Sequence, residues 1–221
     1  TPPPPTLPGQ KLDVGGYRLY MVCSGTGSPA VMFEAGWAGA PASDPFPGAP
    51  EVRAAVATDT RVCVYDRAGL GASDKRPGNV VATGARLADE LHALLRAANV
   101  TGPYVLVGPS WGGLVLMAHV IRYPGDYAGL VFLDSDNGCG GCVYPDPEAV
   151  DLRDVGRPTF GDRPTVVLTS EFSDGPDLAG RSTNSLLASA PGSSHAIITD
   201  RPQLVVESVR LTYAHRYAAD R

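Results

Sequence analysis

Tyr104-Val105-Leu106-Val107-Gly108-Pro109-Ser110-Trp111-Gly112-Gly113-Leu114-Val115-Leu116 is the stretch on which the reading of the whole chain turns. An apolar, β-favouring run, Tyr104 to Val107, enters Gly108-Pro109-Ser110-Trp111-Gly112, and a helix-like apolar stretch, Leu114 to Ile121, leaves it. The predicted order is strand, sharp turn, helix, with Ser110 at the apex. A G-x-S-x-G pentapeptide alone also suits an ordinary βα turn. Its weight comes from the buried strand before it and the helix after it, which hold a serine hydroxyl exposed in a strained turn. Gly108 and Gly112 give room where strand and helix backbones nearly touch, and the helix N-terminus turns backbone N–H groups toward the serine, where an anion would form.

Working outward, the same alternation continues. Upstream, Lys11 to Val14 and Tyr17 to Cys23 flank Gly15-Gly16, a hairpin signal. Pro29 to Phe33 and Arg61 to Tyr65 read as short buried strands, separated by an Ala/Pro/Gly-rich loop and a short helix from Glu51 to about Thr58. Between Thr83 and Asn99, Leu87, Leu91, Leu94, Leu95 and Ala98 fall on one face at helical spacing. Downstream come a strand from Tyr127 to Asp134, another from Thr165 to Thr169, a short last one from Ser185 to Ser189, and a closing helix from Pro202 to Tyr217 with Leu204, Val205, Val209 and Tyr213 inward. Strands alternating with helices in this way imply a parallel sheet covered on both faces.

Composition bounds the function. With 221 residues and 43% hydrophobic content, the chain is expected to form one domain, residues 11–221, behind a Pro-rich extended segment, residues 1–10. A net charge of −5 with scattered Lys and Arg argues against nucleic acid as the partner. No apolar run long enough to span a membrane is present. The opening Thr1-Pro-Pro-Pro-Pro-Thr-Leu-Pro8 reads as a linker, as after removal of a signal peptide, and four cysteines, an even number, fit an oxidising compartment. The expectation is a secreted or cell-envelope protein, with a cytoplasmic one as the alternative. No phosphate-binding or dinucleotide motif and no H-E-x-x-H occurs, and a single Cys139-Gly-Gly-Cys142 is a poor metal set, so neither a cofactor nor a metal is expected. A small disulfide loop between Cys139 and Cys142 is the reading preferred there.

The elbow, together with Phe33-Glu34-Ala35-Gly36-Trp37, Val64-Tyr65-Asp66-Arg67-Ala68-Gly69-Leu70-Gly71-Ala72-Ser73 and Gly192-Ser193-Ser194-His195, resembles the α/β-hydrolase superfamily in order and spacing from about Leu12 to Tyr217. The resemblance implies the α/β-hydrolase fold, a mostly parallel central sheet with helices on both faces. It also implies a cap after the sixth strand, here reduced to residues 135–163, which would leave the site nearly uncovered. The family's sheet order would place Cys23 and Cys63 on adjacent strands, where a disulfide or two buried thiols would fit. Asp66-Arg67 resembles a structural carboxylate–guanidinium pair near the turn and is given no catalytic role.

A serine hydroxyl needs a base in contact and a third group to orient that base. Of the four histidines, His92 and His119 lie inside helices and His215 near the closing end, which leaves His195 in a loop between the last strand and the last helix. Its position matches the family's catalytic histidine. The family places the acid after either of two strands, giving Asp134 first, with Glu171 or Asp174 as alternatives and Asp136 as a bystander. The oxyanion donors implied are the backbone N–H groups of Trp111 and Trp37, with Ala35-Gly36 in place of the usual His-Gly. Pro109 stands where the family often has a histidine. The expected activity is hydrolysis of carboxylic esters, small-molecule or polymeric, with apolar or bulky acyl groups. The alternatives are a non-catalytic ligand-binding protein of the same fold, or an acyltransferase, cyclase or lactonase using the same serine.

Overall fold

The computed structural model describes residues 8–37, 42–43, 49–78, 80–135, 150–151, 155–170 and 175–219. Strands β1 (Gln10–Asp13) and β2 (Arg18–Ser24) form the hairpin expected around Gly15-Gly16, both at positive φ. Then follow β3 (Val31–Phe33), α1 (Ala49–Ala57), β4 (Val62–Tyr65), β5 (Ala82–Thr83) and α2 (Gly84–Ala97). The elbow segment is β6 (Tyr104–Pro109) and α3 (Gly112–Arg122), after which come β7 (Tyr127–Leu133), β8 (Val150–Asp151) and β9 (Thr165–Thr169). The chain closes through α4 (Gly175–Ala179), β10 (Ser185–Ser189), α5 (Ile197–Asp200) and α6 (Pro202–Ala219).

An eight-stranded sheet runs in the order β1-β2-β4-β3-β6-β7-β9-β10, and β5 pairs with β8 in a small separate sheet. Strand β2 is antiparallel to both neighbours, whereas all pairings from β4 to β10 are parallel. Such strands are buried on both faces and therefore read as unbroken apolar runs rather than alternating ones. Their alternation is visible instead in what each side chain joins. Met32, Cys63, Leu106, Phe132 and Val167 enter one core, with Leu87, Leu91, Leu94 and Leu95 of α2 and Leu116 of α3. Val31, Phe33, Val62, Val64, Val105, Val107, Val131 and Leu168 enter the other, with Val52 and Val56 of α1 and Val205 and Val209 of α6. The period of two along each strand thus builds both layers at once.

Parallel register sets the place of the site. Pro109 pairs with Leu133 and Leu133 with Leu168, so β6, β7 and β9 end together, and β10 ends at Ser189 beside Thr169. The residues that follow these strand ends share one edge of the sheet, where ligands of open parallel sheets bind. Residues 171–174, 136–149 and 152–154 lie outside the described residues. With them lie the alternative acids Glu171 and Asp174, the bystander Asp136, the Cys139–Cys142 pairing and most of the expected reduced cap.

Candidate active site

Ser110 follows β6 directly, with its backbone at φ 50. That left-handed conformation costs a non-glycine residue about 1–3 kcal/mol, and the packing around it must hold it there. The holding contacts are visible: Ser110 N donates to Leu133 O at 2.9 Å, and Gly113 N donates to Ser110 O at 3.0 Å. A Cβ on Gly112 would lie 2.6 Å from Ala35 O, and one on Gly113 would lie 2.6 Å from Ser135 Cβ, so both small residues are required by close approach.

His195 Nε2 lies 2.8 Å from Ser110 Oγ, and its Nδ1 lies 2.7 Å from Asp134 Oδ2. An ionised carboxylate can only accept, so Nδ1 carries the proton and Nε2 keeps a lone pair for the serine hydroxyl. Asp134 stands at the end of β7 in the left-handed region, φ 47, and is buried. Its Oδ1 accepts from Ser170 N at 2.8 Å and its Oδ2 from Ser170 Oγ at 2.7 Å. The His195 side chain is 60% exposed whereas that of Asp134 is 3% exposed, so the chain of bonds runs from solvent into the protein. The histidine loop is anchored from behind: Asp200 Oδ2 accepts from Ser194 N at 2.7 Å and from Ser194 Oγ at 2.6 Å, and the Arg201 guanidinium donates to Pro191 O.

The two tryptophans meet here as well. Trp37 and Trp111 pack edge to face, their centroids 6.1 Å apart, and Trp111 is 2% exposed. Behind them Arg67 behaves differently from the sequence expectation. It does not pair with Asp66. Its Nη1 donates to Glu34 Oε1 at 2.9 Å and to Ala35 O at 2.8 Å, its Nη2 donates to Gly36 O and to Trp37 O, and its Cζ lies 4.5 Å over the Trp111 ring. Asp66 instead accepts from the backbone N–H groups of Ala42, Ser43 and Ala72. Glu34 is buried, and desolvation raises its pKa against the opposing pull of Arg67 and of the Tyr65 hydroxyl, which donates to it at 2.6 Å.

The structure therefore brings Ser110, His195, Asp134, Trp37 and Trp111 to one edge of the sheet. His92 and His119 lie elsewhere, bonded to or near Asp126, and His215 lies on α6. Among the described residues, no group of three or more His, Cys, Asp or Glu is arranged to hold a metal ion. Sequence reasoning missed Ser170, whose only signal was its place at the end of the next parallel strand.

A family model described as alpha/beta hydrolase fold matches residues 29–210. Among solved structures, the chain is similar to a thermophilic esterase from Thermogutta terrifontis, at 22% identity and TM-score 0.71 over 92% of this chain and 97% of that one. It is also similar to a putative lipase from Acinetobacter baumannii AYE, at 16% identity and TM-score 0.73 over 97% and 93%. At these identities the likeness concerns the fold. A probable transporter, efuK of Hormonema carpetanum, is 33% identical over 130 residues, which are 56% of this chain and 18% of that protein. The chain spans under a fifth of the length of the curated relatives it matches.

Proposed function

The chain belongs to the alpha/beta hydrolase family, and from that premise we propose that it is a serine hydrolase acting on carboxylic esters. The observation that carries this reading is the unbroken line Ser110 Oγ, His195 Nε2, His195 Nδ1, Asp134 Oδ2, with separations of 2.8 and 2.7 Å. In the proposed cycle His195 Nε2 takes the serine proton as Ser110 Oγ bonds to the acyl carbon. The carbonyl oxygen becomes an oxyanion, held by the backbone N–H groups of Trp111 and Trp37. His195 then protonates the departing alcohol, leaving an acyl group on Ser110. Water, deprotonated by the same nitrogen, releases the acid and restores the serine. Asp134 orients the imidazole and stabilises its protonated form. The cycle draws on side chains, backbone and water alone.

The partly exposed Trp37, packed edge to face on the buried Trp111, and the solvent exposure of His195 support an accessible site for bulky or apolar acyl groups. The Cys23–Cys63 disulfide supports an exported protein, because such bonds persist in oxidising compartments.

A fluorophosphonate probe with peptide mapping, followed by nitrophenyl esters of increasing acyl size, tests the reading. An adduct on Ser110, absent in Ser110→Ala, together with turnover of the larger esters, is the expected result. No adduct on folded protein would defeat the reading and favour a ligand-binding role. An adduct without hydrolysis would point to acyl transfer or cyclisation.

A further inference from the structure

Arg67 follows β4 and is almost fully buried, 5% exposed. A buried guanidinium that served only as counter-ion to Glu34 would present its fork to the carboxylate, the strongest arrangement available to it. It does not. One of its bonds goes to Glu34 and the others go to three successive carbonyls, those of Ala35, Gly36 and Trp37. In a trans peptide unit the carbonyl oxygen and the following N–H point in opposite directions. Capture of Ala35 O therefore turns the Gly36 N–H away from the guanidinium, and capture of Gly36 O does the same for the Trp37 N–H.

The elbow lies beside this segment. A Cβ built on Gly36 would stand 3.8 Å from Ser110 Cβ and 3.7 Å from Pro109 O, so the loop backbone passes directly against the serine. The Ala35 N–H is committed to Glu34 Oε1 at 2.9 Å. The same guanidinium lies over the ring of Trp111, the residue that follows Ser110, so one buried cation touches both halves of the expected oxyanion site. Its charge also polarises each peptide unit it holds, which makes the opposite N–H a better donor.

We propose that Arg67 is a positioning residue for acyl transfer, fixing the two peptide units between Ala35 and Trp37 so that the Gly36 and Trp37 N–H groups serve the oxyanion formed at Ser110; this rests on the serine-hydrolase reading above. Arg67→Lys keeps the positive charge beside Glu34 but cannot reach three carbonyls with a planar fork. The measurements are steady-state ester hydrolysis and inhibition by a trifluoromethyl ketone, which Ser110 attacks to give a stable oxyanion while the proton passes to His195. For folded Arg67→Lys the expected result is a kcat about 100-fold lower with KM within about threefold, and affinity for the ketone weakened in proportion to kcat/KM.

A folded Arg67→Lys that keeps kcat and ketone affinity, or that loses activity only through KM, would overturn the proposal. Should that variant fail to fold, Glu34→Gln/Arg67→Met, which leaves no buried charge unpaired, replaces it with the same expectations. Failure of the underlying reading looks different: wild-type protein would then neither hydrolyse esters nor bind the ketone.

Discussion

Ser170 is the residue whose contribution to the site is most easily isolated. Its hydroxyl and its backbone N–H both donate to the Asp134 carboxylate, the first to Oδ2 and the second to Oδ1. Oδ2 is also the oxygen that faces His195 Nδ1, so the hydroxyl shares in setting where that oxygen sits. Ser170→Ala deletes the hydroxyl and leaves the backbone bond in place. The expected outcome is a roughly tenfold lower kcat, equivalent to about 1.4 kcal/mol of transition-state stabilisation, with KM changed less than twofold. Ester hydrolysis by the purified variant measures it, and an unchanged kcat would show that the hydroxyl is not needed to position the acid. Two non-glycine residues of the same line, Ser110 and Asp134, sit at positive φ. Both follow strands of the parallel sheet, and each turn is held by a backbone bond into the neighbouring strand.

At the scale of elements, helices α2 and α3 carry a titratable group that the site does not use. His119 of α3 is fully buried, with Nε2 3.8 Å from Asp126 Oδ2, and burial lowers its pKa to about 4. Near it His92 of α2 stacks on Tyr123 and bonds to Asp126 at 2.6 Å. A free histidine titrates at about 6.5, so between that pH and 4 the unfolded chain binds a proton that the folded chain refuses. The stabilising effect is complete above about pH 6.5 and is lost as the pH falls through this window, by on the order of 3 kcal/mol. Urea unfolding at pH 7 and pH 4.5 is expected to show a steeper acid loss for wild type than for His119→Leu. Equal losses would assign the acid sensitivity to other groups.

The elements themselves were legible in the sequence, since buried parallel strands leave continuous apolar runs and α2 a leucine stripe. What escaped was either too short to leave a period, as β5, β8, α4 and α5 are, or dependent on pairing between distant strands. Ser170 matters because β9 pairs with β7 in a particular register. Arg67 was paired with Asp66 on the family resemblance alone, whereas the Asp66 carboxylate is taken up by backbone N–H groups of its own turn and of the loop at Ala42 and Ser43. The actual acceptors of Arg67 are mostly backbone carbonyls, which no side-chain pattern displays. Glu90 shows the same limit: it lies on the apolar face of α2, buried, because Arg76 and the Tyr17 hydroxyl meet it there.

Over the whole molecule, Cys23 and Cys63 face each other across the antiparallel pair β2 and β4 and form a disulfide. The resemblance allowed this bond or two buried thiols, and the structure has the bond. With a sequence separation of 40, it is expected to stabilise the fold by about 2–4 kcal/mol, chiefly by restricting the unfolded chain. Cys23→Ala/Cys63→Ala is accordingly expected to melt roughly 10 °C lower. Thermal denaturation monitored by circular dichroism checks this, and an unchanged midpoint would show that sheet packing alone carries the stability. No helix among the described residues is long and apolar enough to cross a membrane.

That disulfide has a mechanical meaning too. The segment between its cysteines contains β3, Glu34, Ala35, Gly36, Trp37 and α1. A pull along the backbone, entering through β2 and leaving after β4, passes through the sulfur bridge and bypasses that ring. The loop that meets Ser110 is therefore slack under tension, shielded from load for as long as the bridge stays oxidised.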